Sequence, residues 1–190
     1  FKDVDISSVD FGNISSWDVS QVNDMSNMFD WATNFNEDLS NWDTSKVTNM
    51  NDAFINSDFN QNINNWNTSN VTNMSGMFAH QIICKFNQPL NNWQTGKVTN
   101  MYAMFQGATT FNQPLNNWDV SVVTNMQSMF QNATNFNQPL NNWDVSGVTD
   151  MVKMFNNATS FNQDLGDWTI NPSCNVNNMF LNSPMDNSYN

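Results

Sequence analysis

The sequence contains no arginine, one histidine (His80), one glutamate (Glu37) and two cysteines among 190 residues. Bidentate phosphate clamps, paired imidazoles and glutamate dyads therefore lack their parts. With 17 acidic and 5 basic residues, the chain has a formal charge of -12. Nucleic-acid binding draws on clustered Lys and Arg, so we expect no nucleic-acid partner.

Long apolar runs are also missing. No apolar stretch approaches the roughly 18 residues that cross a bilayer, so we expect no membrane insertion in this segment. No charged stretch followed by an apolar one opens the chain, which begins with Phe1. We therefore expect a mature product or an excerpt, with any anchor outside it.

An internal repeat dominates the chain. Tryptophans separated by 24 to 27 residues mark seven copies, which we number 1 to 7: Trp17, Trp42, Trp66, Trp93, Trp118, Trp143 and Trp168. The clearest copies read F-N-Q-P-L-N-N-W-D-V-S-x-V-T-N-M-x-x-M-F-x-N-A-T. We predict one domain, 1–190, with an N-terminal cap over 1–16 and a C-terminal cap over 174–190.

Apolar residues occupy fixed columns of the repeat. Twelve of the 13 methionines lie in two columns, eight and eleven residues after Trp. One copy alone cannot bury such a stripe, so neighbouring copies are expected to stack and to join the columns into one core. A period of about 25 residues fits one turn of a solenoid.

Two segments of each repeat suggest secondary structure. N-W-D-V alternates apolar and polar residues like a half-buried strand, with Trp and Val inward. M-x-x-M-F-x-x-A spaces apolar residues at i, i+3, i+4 and i+7, the pattern of a short helix. The pattern predicts a repeat solenoid with one short parallel β-strand and a short α or 3-10 segment per turn of about 25 residues.

Asparagine is the commonest residue, and its role has two interpretations. In the V-T-N column, which includes Asn49, Asn73, Asn100 and Asn125, the side chains are expected to form buried ladders between copies, as stacked amides can. In the alternative, Asn serves turns, where it tolerates left-handed backbone and forms Asx-turns.

The repeat units resemble the bacterial surface protein 26-residue repeat, a family related to BspA-type leucine-rich repeats. The resemblance rests on the F-N-Q-P-L-N-N-W-D-V-S-x-V-T-N-M-x-x-M-F pattern and covers almost the whole chain. It implies a leucine-rich-repeat-like solenoid located outside the cell or at its surface. It also implies an adhesion or host-interaction module without enzymatic activity.

The residues that follow the tryptophans are the predicted ligand-binding face. They are polar and fall on the exposed side of the predicted strand: Asp18, Asp43, Asn67, Gln94, Asp119 and Asp144. Adjacent carboxylates there resemble a Ca²⁺ site. Asn67 and Gln94 interrupt the carboxylates, however, and Asp commonly starts turns. We therefore expect no metal and no cofactor.

The segment between repeats 3 and 4 contains His80, Cys84 and Lys85. Nucleophilic catalysis needs a base held by a third group, which is missing there, so we expect an ordinary loop. Cys84 and Cys174 lie three to four repeats apart, on the order of 14 to 19 Å along the stack. A disulfide needs Cα atoms within about 7 Å, so they should not pair with each other.

Three hypotheses of function follow. The first is a non-enzymatic surface module that binds a protein or glycan through the polar face. The second is a structural protein whose copies self-assemble into a surface filament, sheath or particle coat. The third, a glycosidase that uses two Asp, requires an apolar cleft that the sequence does not indicate.

Overall fold

The structure is a computed structural model that describes residues 12–81 and 84–186. Across these ranges its one helix is the 3-10 helix Ile14–Ser16, and its strand pairing consists of isolated bridges. The predicted leucine-rich-repeat-like solenoid, with a strand and a short helix in every turn, is therefore wrong. The described residues instead form a stack of repeats in which each repeat is a series of tight turns.

Consecutive repeats pair at the residue before the first Met of each copy. Parallel bridges join Asp24 to Asn49 and continue through every later repeat to Asn175. Backbone hydrogen bonds flank each bridge in both directions. In repeat 5, Thr124 N–H donates back to the Thr99 carbonyl (2.9 Å), and Met126 N–H donates forward to the Asp150 carbonyl (2.8 Å).

The N-W-D-V segment is not a strand because two turns enclose it. Trp118 N–H donates to the Leu115 carbonyl (3.0 Å), and Val123 N–H donates to the Val120 carbonyl (3.0 Å). Bonds that span three residues close the chain into β-turns. The predicted alternation of faces is nevertheless present, since Trp118 and Val120 are buried and Asp119 is exposed.

The M-x-x-M-F-x-x-A segment is not a helix because it includes left-handed residues. Ser128 and Asn132 have φ of 57° and 60°, and Met129 N–H donates to the Met126 carbonyl (3.1 Å). Positive φ at the third position is the signature of a type II turn. Ser128 N–H donates to the Val152 carbonyl of the next repeat (2.9 Å), whereas a helix would use that donor internally.

The left-handed positions follow a pattern that the sequence displays. They lie two and six residues after the first Met column, and most are Asn, Asp or Gly, which tolerate this conformation best. The described residues of these two columns with positive φ are Asn27, Trp31, Asp52, Asn56, Gly76, Ala103, Gly107, Ser128, Asn132, Lys153, Asn157, Asn178 and Asn182.

The core consists of aromatic columns that run through the stack. The ring centroids of Phe130 in repeat 5 and Phe136 at the start of repeat 6 are 4.1 Å apart, and Phe130 lies 5.5 Å from Phe155 further along repeat 6. The Trp93 and Trp118 rings are 6.3 Å apart and nearly parallel. Buried Leu, Val and Met side chains fill the space between the rings. Each ring is therefore packed by its own repeat and by its neighbours.

The tryptophans also tie the repeats together by hydrogen bonds. Trp118 Nε1–H donates to the carbonyl of Leu90 in the preceding repeat (3.0 Å), and Trp143 donates in the same way to Leu115 (3.0 Å). The bond recurs for each tryptophan from Trp42 to Trp168. The buried indole N–H groups are thus satisfied, as burial of a polar donor requires.

The asparagine ladder lies in a different column from the predicted one. In the V-T-N column, Asn125 Oδ1 accepts the N–H of Gln127 two residues on (2.9 Å), which is an Asx-turn. One side-chain bond in this column joins two repeats, from Asn49 Nδ2–H to Asp24 Oδ1 (3.1 Å). Side-chain bonds between repeats recur in other columns, among them the one that follows the first Phe column. Asn112 Oδ1 accepts Asn137 N–H (2.9 Å) and Gln138 Nε2–H (3.1 Å) from the next repeat.

We predict that Trp118→Ala lowers the free energy of unfolding by roughly 3–5 kcal/mol, because it removes a ring that is 3% exposed and leaves a cavity. Trp118→Phe keeps an aromatic ring but loses the indole donor, so a smaller loss is expected. Trp31→Asn is the control, since Trp31 is 44% exposed and has a φ of 58° that Asn tolerates. Urea denaturation measures all three. Equal losses for Trp118→Ala and the control would contradict the assigned core.

We predict that Gly107→Ala destabilises the fold by more than about 2 kcal/mol, because it adds a steric clash to left-handed strain. Gly107 has a φ of 69°, and an added Cβ would lie 2.0 Å from the His80 carbonyl oxygen. Gly12 has a similar φ of 57° but no atom within 4 Å of such a Cβ. Gly12→Ala should therefore cost only about 1 kcal/mol. Thermal denaturation of the pair separates the clash from the strain.

Candidate ligand-binding face

The predicted face residues form an exposed column along one side of the stack. We call this column the post-tryptophan face: Asp18, Asp43, Asn67, Gln94, Asp119 and Asp144. Each follows a tryptophan, and from Trp42 onward those tryptophans are buried. The indole ladder therefore fixes the backbone from which each polar side chain projects. Because no sheet exists here, the face is a row of turns.

The carboxylates of this face start Asx-turns. Asp119 Oδ1 accepts the Ser121 N–H (3.1 Å) and hydroxyl (2.6 Å), and Asp144 Oδ1 does the same with Ser146 (3.0 and 2.6 Å). These hydrogen bonds, led by those from the serine hydroxyls, hold the pKa of both carboxyls below the ordinary value. One oxygen of each carboxylate is therefore committed to the turn, and the other remains for a ligand.

The two middle residues of the face, Asn67 and Gln94, are uncharged, and only Asn67 forms the turn that the aspartates form. Asn67 Oδ1 accepts the Ser69 N–H (3.1 Å), so it forms the same turn without a charge. Gln94 departs from the pattern, since its side chain folds back to donate to the Asn92 carbonyl. Gln94 N–H donates to Thr68 Oγ1 (2.8 Å). The structure thus aligns all six predicted residues but gives Gln94 a different local role.

A second column, three residues further along each repeat, modifies the charge of the face. Lys46 Nζ donates to Gln21 Oε1 (2.6 Å), and Lys97 Nζ donates to Asn70 Oδ1 (2.7 Å). The equivalent position in repeat 5 is Val122, which is 43% exposed. Sequence analysis missed this column, although its fixed spacing from Trp was a usable signal.

The charge of the face therefore differs between repeats: lysines lie beside it in repeats 2 and 4, and none lies beside it in repeats 5 and 6. Lys46 lies close enough to help lower the pKa of Asp43, although the turn bonds from Ser45 contribute more. Asp119 and Asp144 have Val122 and Gly147 in the second column instead of lysines. Asp144 even raises the pKa of Asp119 slightly, against the stronger effect of Ser121. Repeats 5 and 6 consequently present an acidic surface beside an exposed apolar side chain.

The segment that contains His80, Cys84 and Lys85 does not assemble a reactive site. Lys85 Nζ forms an ion pair with Asp58 Oδ2 (2.6 Å). Cys84 is buried with its Sγ 3.6 Å from the Phe78 carbonyl, and burial raises its pKa to about 11. Burial also lowers the pKa of His80. These shifts disfavour both the thiolate and the imidazolium, the charged forms that a cysteine–histidine pair uses.

The described residues contain neither a disulfide between the two cysteines nor a cluster of metal ligands. Cys84 and Cys174 do not form a disulfide with each other, as their separation predicted. Across 12–81 and 84–186, no three His, Cys, Asp or Glu side chains come together as a cation site. In the same part of the chain, none of the helical structure has the length and apolar character of a membrane span.

The predicted caps lie partly outside the described residues. Of the proposed N-terminal cap, residues 1–11 are not described, whereas Ile14 is buried and its carbonyl accepts Trp42 Nε1–H (3.0 Å). Ile14 thus takes the place of the Leu carbonyl used by later repeats. Of the proposed C-terminal cap, residues 174–186 are described, and Met185 is buried against the last repeat. Residues 187–190 are not described.

The comparisons with known proteins identify a family. A profile of the family described as "Mycoplasma protein of unknown function, DUF285" matches residues 1–95 and again residues 80–189. The two tandem matches agree with the internal repeat. No curated protein and no solved structure matches the chain.

We predict that Cys84 resists alkylation in the native protein. Its raised pKa leaves little thiolate at pH 8, so iodoacetamide should label it at least about a hundredfold more slowly than in urea. Cys174 is only partly buried and should react before Cys84. Peptide mass spectrometry of a time course gives both rates. Equal labelling of Cys84 in native and unfolded protein would contradict its buried position.

Proposed function

The chain belongs to the DUF285 family of repeat proteins, and from this premise we propose that it is a non-enzymatic binding module. It contacts a protein or glycan through the post-tryptophan face. The observation that carries this proposal is the row of exposed polar side chains at one position of repeats 1 to 6, backed from repeat 2 onward by buried tryptophans. Repeat proteins commonly bind partners through such extended surfaces.

Rigidity supports a binding role for this face. The turn at Asp119 is closed by two bonds from Ser121, and the neighbouring Trp118 ring is buried and hydrogen-bonded. Side chains that are already ordered lose less conformational entropy when a ligand binds. The face is thus organised before it meets a partner.

The chemistry of the face favours a ligand that donates hydrogen bonds. The oxygens of Asp119 and Asp144 that are not used in the turns accept bonds from sugar hydroxyls or from protein N–H and ammonium groups. Val122 adds an exposed apolar contact beside them. A polyanion would be repelled, because only Lys46 and Lys97 offset the acidic residues of this surface.

The proposed location is outside the cell or at its surface. It rests on the resemblance to the bacterial surface protein 26-residue repeat, and we extend the proposal to a relationship with BspA-type repeats. The relationship concerns the repeat sequence, since the strand and helix of a leucine-rich repeat are absent from the described residues.

We predict that Asp119→Asn combined with Asp144→Asn weakens ligand binding at least about tenfold, because each exchange removes a charged acceptor. The fold should be retained, since Asn67 forms the same turn with an amide. Glycan and extracellular-matrix protein arrays identify the ligand class, and calorimetry with that ligand gives the affinity.

The matched control is Asp38→Asn combined with Asp164→Asn. These carboxylates also accept a backbone N–H two residues on, from Ser40 and Gly166 (2.9 Å each), but they precede the Leu column instead of following Trp. Both double variants remove two charges. An equal loss of affinity in the control, or no binding by the unmodified chain to either ligand class, would contradict the proposal.

A further inference from the structure

Inside the stack, backbone N–H groups of each repeat donate hydrogen bonds to carbonyls of the next repeat. Between repeats 6 and 7, Met151 N–H donates to the Asn175 carbonyl (2.8 Å) and Lys153 N–H donates to the Asn177 carbonyl (3.0 Å). Two further donors follow at alternate residues. These four bonds all run forward, although Asn175 N–H donates back to the Thr149 carbonyl (3.0 Å), which lies just before them. Along this segment the two ends of the stack therefore differ chemically.

The last repeat exposes donors. Val176 and Asn178 occupy the positions whose N–H groups donate forward in earlier repeats, and neither N–H has an acceptor among the described residues. Asn182 N–H, the last in this series, is taken by Asp186 Oδ2 (3.2 Å). Within the described residues, which end at 186, the C-terminal segment therefore contacts one corner of the end surface and does not pair with the donors at Val176 and Asn178.

Apolar side chains surround these donors. Val176 is 42% exposed, and Ile170 and Leu181 are similarly exposed. With Met179 and Phe180, they line an open concavity of about 410 Å³. Ile170 and Val176 belong to columns whose side chains are buried in the earlier repeats, and the Leu181 column is buried or partly buried there.

The first repeat exposes the complementary acceptors. The carbonyls of Asp24, Ser26 and Met28 occupy the positions that receive N–H groups in later repeats, and no described residue donates to them. The Met28 side chain is only partly buried, whereas the methionines of the same column in repeats 3 to 6 are fully buried. Among the described residues of this segment, unpaired acceptors therefore lie at repeat 1 and unpaired donors lie at repeat 7.

We propose that copies of this chain associate head to tail, with repeat 7 of one molecule packed on repeat 1 of the next. If the two copies keep the register that joins neighbouring repeats, Val176 N–H donates to the Asp24 carbonyl of the second copy. Asn178 N–H then donates to the Ser26 carbonyl of that copy. Leu181 and Ile170 are then covered. Tail-to-tail pairing would place donors against donors, which leaves buried N–H groups unsatisfied.

This geometry determines the form of the assembly. In a head-to-tail contact, one copy contributes its repeat 7 surface and the other its repeat 1 surface. The dimer therefore still has one free surface of each kind, and further copies extend it into a filament unless the chain of copies closes into a ring. The chain charge of -12 opposes association. Salt screens that repulsion, so longer assemblies are expected at higher ionic strength.

Light scattering of the full chain at increasing concentration and salt tests the proposal. The unmodified protein should grow in steps of its 21.7 kDa mass. Leu181→Asp and Met28→Glu should each remain monomeric, because each blocks one end. An equal mixture of these two variants should form dimers and nothing larger, since one intact donor end meets one intact acceptor end.

Val122→Asp provides the control, because Val122 is equally exposed but lies on the side of the stack. This variant should assemble like the unmodified chain. A second pair, Val176→Asp and Ser26→Glu, replaces the first if Met28→Glu lowers the melting temperature. The proposal is overturned if the unmodified chain stays monomeric under all conditions, or if variants at repeat 7 abolish association while those at repeat 1 have no effect.

Discussion

The rest of the structure depends on one constraint: backbone N–H groups of each repeat donate hydrogen bonds to carbonyls of the next repeat. Alternate residues of the M-x-x-M-F-x-x-A segment bond forward, and residues between them, such as Met129 and Ala133, close type II turns within the repeat. Left-handed residues make this division possible, because they rotate successive N–H groups into different directions. The aromatic columns, the Trp–Leu hydrogen bonds and the exposed turns all follow from the stacking that these bonds produce.

The same constraint explains which features could be predicted from sequence. The repeat, the buried Trp and Met columns and the exposed residues after Trp were predictable, because burial against an identical neighbour requires the same residue type at the same position. The helix was not, because turns that close at Met129 and Ala133 space apolar residues three and four apart, as a helix does. Asn132 and Asn157 in a left-handed column were the signal against it.

The candidate face shows a similar limit. Sequence reasoning placed Asp119 and Asp144 on the surface and recognised that Asp commonly starts turns. It could not place Lys46 and Lys97 beside Gln21 and Asn70, because those contacts join residues 25 and 27 positions apart. The structure gives each aspartate two roles at once: one oxygen stabilises a turn, and the other faces outward. Turn formation therefore accounts for the residue type, and the exposed second oxygen is what a ligand would recognise.

The phenylalanines that follow the second Met column, such as Phe130, pack on rings of their own repeat or of an adjacent repeat. Phe130, for example, lies between Phe105 and Phe155, at 5.5 Å from each. A segment of one repeat length inserted or deleted within the stack would give each ring a new neighbour of the same kind. The number of repeats can therefore change through tandem duplication or loss in the gene without disturbing the interior, and the reach of the molecule becomes a quantity that selection can adjust in steps of one repeat.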